Sequence, residues 1–338
     1  MRKLGRVLLW AMVLLAVIVA VGITFTVGWR PFIGPRARPL TGQKFATTPQ
    51  RLARGRYLSS AVSGCSFCHS EHDWGKPDRP VPPGREGVGE VMPLAGLPGR
   101  IVAPNLTSDA QTGAGTWTDD QLGRAIREGI GHDGRALFPL MAYERFQHMS
   151  DEDLASVVVY LRSLPSVRNE LPKTEIIFPV NYLIRSVPKP LAGPVPYPDA
   201  SDRVAWGRYM VTIGGCEDCH TPQDAHGQQI AGMDFAGGAV FEDPGAKAAA
   251  TNITPDASGI SYYDEALFVQ AIRTGSVGAR KLSPVMPYAF YRNMTDDDLK
   301  AIFAYLRTLK PVKHRVDNSL PPTYCKLCGR RHGAGDQN

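Results

Sequence analysis

Two five-residue stretches, Cys65-Ser66-Phe67-Cys68-His69 and Cys216-Glu217-Asp218-Cys219-His220, decide how this chain folds. In each, two thiols stand one helical turn apart and an imidazole follows at once. Thiols at that spacing can add to the two vinyl groups of one porphyrin while the adjacent histidine places a neutral nitrogen on its iron, which is the attachment signal of a c-type haem. A disulfide or a zinc site at each pair is the plainer alternative. Zinc needs four ligands arranged locally, and neither alternative explains why a histidine directly follows the second cysteine in both stretches. The motifs predict two covalently bound haem c groups on Cys65, Cys68, Cys216 and Cys219, with His69 and His220 as iron ligands.

Working outward, the neighbourhoods of the two motifs are copies of one another at an offset of about 145–151 residues. Gly55-Arg56-Tyr57 recurs as Gly207-Arg208-Tyr209, Pro104-Asn105-Leu106-Thr107 as Thr251-Asn252-Ile253-Thr254, and Ala125-Ile126-Arg127-Glu128-Gly129 as Ala271-Ile272-Arg273-Thr274-Gly275. Each copy closes with an amphipathic helix. Ser150 and Thr295 are its N-cap candidates, with Asp153 and Asp298 three residues on in a capping-box pattern. Leu154, Val157, Val158, Leu161 and Leu164 then share a face, as do Leu299, Ile302, Phe303, Leu306 and Leu309. An earlier helix starts near Thr118 or Asp264, Thr118 forming a box with Gln121. No period-two run is long enough for a substantial sheet. The fold class read from these signals is all-α, two tandem modules after one apolar helix.

A six-coordinate iron needs a second axial ligand, and methionine is a common one that raises the potential. Met141 and Met286 hold equivalent places in Leu-x-Pro-x-Met, after each haem motif and ahead of each closing helix. Met149 and Met294 are their rivals, but directly before an N-cap an apolar residue usually packs back as a staple. The expected iron ligands are therefore His69 with Met141 and His220 with Met286. His72, His132, His148, His226, His314 and His332 have no matching histidine in the other copy and are read as surface or core residues. The repeated asparagines match a glycosylation acceptor, yet local backbone hydrogen bonding explains them better. Asp119-Asp120 and Asp296-Asp297-Asp298 complement helix dipoles rather than serve as general acids.

The 338 residues carry 38 basic and 32 acidic side chains, but six of the basic ones fall in residues 1–40, which hold no acid. The rest is balanced and has no basic footprint for nucleic acid. Residues 7–29 are free of charge and follow Arg2, Lys3 and Arg6, the pattern of a spanning segment with its basic flank in the cytoplasm. A cleavable signal peptide, with small residues at Ala20-Val21-Gly22, is the competing reading and has a shorter apolar region. The expected organisation is a signal anchor over 1–29, a linker over 30–48, a first module over 49–168, a proline-rich linker over 169–200, a second module over 201–313 and a tail over 314–338. The modules would lie on the periplasmic side of a bacterial cytoplasmic membrane.

With these motifs in place, the repeats resemble class I cytochrome c domains. Together they resemble the membrane-bound cytochrome c subunits of bacterial alcohol, aldehyde and gluconate dehydrogenases. The second copy carries more of the likeness, through Cys216-Glu-Asp-Cys219-His220-Thr-Pro, Asn252-Ile-Thr-Pro-Asp, Met286-Pro-Tyr and Met294-Thr-Asp-Asp-Asp-Leu. The resemblance implies α-helical modules, His/Met ligation and electron delivery towards a quinone or a respiratory chain, with a dehydrogenase, an oxidase or another membrane electron-transfer complex as redox partner. Members usually carry three haem motifs; this chain has two. A dihaem redox enzyme, such as a peroxidase or a thiosulfate dehydrogenase, is the alternative, and two equivalent methionines weigh against an open iron.

The tail departs from the pattern. Cys325-Lys326-Leu327-Cys328 is followed by Gly329 where a haem motif has histidine. A third c-type haem is not expected. Three readings of this pair are, in order, a short disulfide, a metal site using His332 with ligands from elsewhere, and a haem attached in an unusual manner.

Overall fold

The computed structural model describes residues 2–76, 78–94, 96–224, 227–243 and 246–338. The chain forms two compact units, one of residues 1–44, 117–147 and 175–193, the other of residues 45–116, 148–174 and 194–338.

In the first unit, α1 (Arg2–Phe25) is long and apolar enough to cross a membrane, and none of its apolar stretch is buried against protein. The helix α4 (Asp119–Glu128) has the full capping box expected of it. The Thr118 side chain accepts from the Gln121 amide at 3.1 Å and the Gln121 side chain accepts from the Thr118 amide at 2.8 Å. Asp120, in its first turn, does more than complement the dipole, since it accepts from the Arg38 guanidinium and the Thr41 amide, both at 2.5 Å. Arg38 also reaches Glu128 at 2.7 Å and so ties both ends of α4 to the segment that precedes the first copy. Met141 leads into a one-turn helix, α5 (Tyr143–Phe146).

The second unit holds α2 (Pro49–Tyr57), α3 (Cys65–His69), α6 (Asp151–Ser163), α7 (Arg203–Gly214), α8 (Cys216–His220), α9 (Glu265–Thr274), α10 (Tyr288–Tyr291) and α11 (Asp296–Leu306). The core follows the repeat. Leu154, Val157, Val158 and Leu161 of α6 are buried, and so are Leu299, Ile302, Phe303 and Leu306 of α11. The second closing helix stops at Leu306, so Leu309, expected on its face, lies beyond its end and is half-buried. Strands among the described residues are short two-stranded ladders, with Val240–Asp243 against Ala246–Ala249 the longest.

The Gly-Arg-Tyr repeat has a packing reason in each of its end positions. At Gly55 a Cβ would lie 1.9 Å from the Ser156 carbonyl oxygen, and at Gly207 it would lie 1.9 Å from that of Ala301. In both copies the opening helix therefore crosses the closing helix backbone to backbone, which only glycine permits. The two tyrosines then reach across to the other copy. The Tyr209 hydroxyl donates to Asp153 at 2.6 Å and accepts from the Ser150 amide at 3.2 Å; the Tyr57 hydroxyl donates to Asp298 and accepts from the Thr295 amide at 3.0 Å. This changes the reading of the closing-helix caps. Ser150 and Thr295 do cap, accepting from the Asp153 and Asp298 amides at 3.1 and 3.2 Å. The two aspartates complete no box. Asp153 is taken by Arg54 and Tyr209, and Asp298 by Trp206 and Tyr57, because a carboxylate among buried donors gains more from them than from its own N-cap amide.

Candidate haem-attachment sites

Each cysteine motif occupies a helix one turn long, and the sequence starts it in the same way twice. Gly64 and Gly215 both sit at φ 72°, a left-handed conformation natural to glycine, which ends the incoming helix and turns the chain into α3 or α8. Within one turn, residues i, i+3 and i+4 share a face, so both sulfurs and the histidine of each motif lie on one side. Upstream of the first motif the helix widens into a π turn over Leu58–Val62; the second copy runs straight to Gly214.

The histidines are held by their backbone and by one ring nitrogen. His69 Nδ1 lies 2.9 Å from the Pro104 carbonyl oxygen and His220 Nδ1 lies 2.7 Å from that of Thr251. A carbonyl can only accept, so Nδ1 carries the proton and Nε2 keeps the lone pair a metal would need. Burial lowers the pKa of both imidazoles, and the carbonyl bond opposes it only in part, so each ring is held neutral. Their own carbonyls accept from Gly89 and Gly237 at 2.7 and 2.6 Å.

The asparagine repeat places the two carbonyls. Asn105 and Asn252 accept from the amides of Thr107 and Thr254, both at 2.9 Å, and donate to the carbonyls of Val167 and Val312 at 2.8 and 2.7 Å. Both are buried, as the backbone-bonding reading of the sequence expects. The sulfurs are more accessible: Cys65, Cys68 and Cys216 are half-buried and Cys219 is exposed. Outward sulfurs beside a neutral imidazole with its Nε2 unspent fit a porphyrin held covalently at its edge and coordinated at its centre.

Met141 and Met286 occupy matching turns. Each is half-buried, each amide donates three residues back, to Phe138 at 3.0 Å and to Ser283 at 3.1 Å, and each carbonyl accepts from the tyrosine two residues on. Met149 and Met294 are buried directly before the closing helices, as a staple requires. Met141 belongs to the first unit, whereas the other cofactor residues named from sequence, His69, His220 and Met286 among them, belong to the second.

Of the remaining histidines, His72 is buried against Glu90, His132 stacks on Trp117 with ring centroids 4.2 Å apart, and His148 is exposed. His226 lies outside the described residues. His314 is the one whose reading changes. Its Nδ1 meets the Ala236 carbonyl oxygen at 2.8 Å, where in the first copy Asn169 donates to the carbonyl of Val88 at 2.9 Å. It therefore has a counterpart, an asparagine 145 residues earlier, hidden from a search for paired histidines. Gly64 and Gly215 also escaped the sequence reading, and Pro104 and Thr251 stood in it only as members of the repeat, without a role. The glycine before each first cysteine was a usable signal; a role played by a backbone carbonyl leaves none in the side-chain alphabet.

The family model for cytochrome c matches residues 52–165. The chain is 30% identical to a nicotinate dehydrogenase subunit of Pseudomonas putida over 83% of its length and 23% of the relative's. It is 29% identical to the fructose dehydrogenase cytochrome subunit of Gluconobacter japonicus, over 81% of this chain and 56% of that one. Against a dihaem c-type cytochrome of Cereibacter sphaeroides it is 28% identical, over 80% of this chain and 89% of the relative. The chain thus spans about a quarter of the first relative and just over half of the second. Over residues 52–165 the sequence is thus that of a cytochrome c family member, and the chain that contains it resembles the cytochrome subunits of bacterial dehydrogenases.

Proposed function

We propose that this chain is a membrane-anchored dihaem electron carrier that takes electrons from a dehydrogenase and passes them to a respiratory acceptor. The observation that carries this is the duplicated attachment helix, in which each histidine is fixed in one tautomer by a backbone carbonyl with its iron-binding nitrogen left over. Haem c supplies a one-electron couple when bound. The chain would supply the rest: Cys65 with Cys68 and Cys216 with Cys219 would form the covalent tethers, His69 and His220 would each give an imidazole ligand, and Met141 and Met286 would each give a thioether ligand. An iron with both an imidazole and a thioether from the protein would leave no place for a substrate, which suits a carrier. Phe67 of the first motif packs on Phe290, four residues after Met286, with ring centroids 6.2 Å apart, so apolar groups lie where the two copies meet in the second unit.

The likeness to dehydrogenase subunits supports a dehydrogenase as donor, and the basic flank of α1 supports haem modules on the extracytoplasmic side. Purification from the native membrane in mild detergent tests the whole reading. Two haem c per chain, a spectrum lacking high-spin iron, and co-purification with a dehydrogenase whose substrate reduces both haems are expected. A single haem, or a five-coordinate iron that turns over peroxide, would sink it.

A further inference from the structure

The tail beyond the second copy closes into a site of its own. Cys325 and Cys328 are free thiols, and with His314 and His332 they form a cluster whose ligand atoms all lie within 4.8 Å of one another. Relative exposures of 0% for His314 and Cys325 and 2% for Cys328 and His332 place all four out of solvent. His314 Nε2 is 3.3 Å from the Cys325 sulfur and His332 Nε2 is 3.3 Å from the Cys328 sulfur. A tetrahedral zinc ion with ordinary bond lengths separates sulfur from nitrogen by about 3.6 Å, so the two pairs already stand near that spacing.

Both imidazoles are turned inward by bonds on their other nitrogen. His314 Nδ1 donates to Ala236 at 2.8 Å and His332 Nδ1 to the Gly333 carbonyl at 3.0 Å, so each offers an Nε2 lone pair to the cluster, the outer-shell pattern of metal-binding histidine. The cysteines sit in the turn of a hairpin between Pro322–Tyr324 and Arg331–Gly333, closed by bonds from Gly329 to Cys325 and from Cys325 to Arg330. Met233 and Ala236 pack against the two cysteines as an apolar wall. Gly238, at φ 94°, leaves room for the cluster: a Cβ there would come within 2.6 Å of the His314 ring and 3.2 Å of the Cys328 sulfur.

We propose that His314, Cys325, Cys328 and His332 bind one zinc ion, a structural site that nails the tail to the second haem module. Two soft sulfurs and two imidazoles in a closed tetrahedron select zinc among divalent cations and leave no open position for chemistry. Binding involves no electron transfer. Each thiol gives its proton to solvent, and two thiolates cancel the ion's charge, so a neutral complex is what becomes buried. The comparison of copies supports the same assignment. At the position where Asn169 braces Val88, the second copy has a histidine that makes the equivalent brace and has a nitrogen to spare for the tail. Ala236 directly precedes Gly237, whose amide donates to the His220 carbonyl at 2.6 Å, so the zinc would steady the backbone of the second haem's histidine.

The test uses the full haem-loaded chain in detergent, purified without chelator. Zinc by elemental analysis should be about one per chain, with zinc-edge absorption spectroscopy finding two sulfurs and two nitrogens. The decisive variant is His314→Asn, which installs the brace of the first copy and removes only the ligand. It should keep both haems and the fold while zinc affinity falls by more than the roughly 10–100-fold that loss of an outer-shell partner costs. Stripping zinc from the wild type should alter the signals of the second haem and leave the first unchanged. Absence of zinc in the wild type, a Cys325–Cys328 disulfide in its place, a third haem on those cysteines, or undiminished zinc in His314→Asn would each overturn the assignment.

Discussion

A single side chain here is defined by what its second functional atom does. His69 and His220 use Nδ1 on a carbonyl so that Nε2 keeps its lone pair, and His314 repeats the arrangement. Methionine has only its sulfur, so its role depends on where the loop puts it. Met141→Ala or Met286→Ala should lower one potential on the order of 0.1 V, within the roughly 0.8 V span that axial ligands govern, and admit carbon monoxide to that haem. Met149→Ala and Met294→Ala should instead cost stability, about 2–5 kcal/mol for a buried methionine, with both ligand sets intact. Loss of the sulfur–iron absorption band in the latter pair would reverse the assignment. Asp120 allows a pH test. Burial works to raise its pKa, but bonds from Arg38 and Thr41 outweigh it and the net shift is downward. A depressed carboxylate adds stability that is complete above its unfolded value of about 3.9 and lost as pH falls through the lower folded one. Acid unfolding should therefore have a component below about pH 4 that Asp120→Asn lacks; identical acid profiles would refute it.

At the scale of elements, the closing helices and their caps were legible because apolar spacing and an N-cap hydroxyl act locally along the chain. What held α2 to α6 and α7 to α11 was not, since Gly55 and Gly207 matter through a backbone oxygen a hundred or so residues away. The repeat marked those glycines as a pair without saying why. Gly55→Ala or Gly207→Ala should destabilise the protein by at least about 3 kcal/mol, because a helix must move to clear a 1.9 Å contact and a rotamer change cannot do it. Thermal unfolding of the haem-loaded chain measures this, and a shift no larger than that of Ala53→Gly would contradict the packing. The same locality explains the tail. The Cys-x-x-Cys spacing was visible, yet its partner His314 stands at the very start of the tail, and only folding brings it beside Cys325.

On the scale of the molecule, the two one-turn Cys-x-x-Cys-His helices and the apolar helix were the readable parts, each a short run of residues whose form needs no tertiary context. The crossed tyrosines were not readable, because both Tyr57 and Tyr209 look like ordinary aromatic residues at the end of a helical turn. Each hydroxyl donates to an aspartate of the other copy, a contact to a charged acceptor worth about 1.5–3 kcal/mol. Tyr57→Phe and Tyr209→Phe should each lower stability by an amount of that order, and by similar amounts, with no change in haem content. Calorimetry in detergent would show it, and a double variant as stable as wild type would rule the clasp out. Exchange the copies, and this set of contacts maps onto itself: tyrosine to partner cap in both directions. Self-complementarity of that kind is what two-fold symmetry imposes on a pair of identical subunits. Within the second unit the two copies therefore clasp each other as two protomers of a symmetric dimer would, each giving a tyrosine and receiving one.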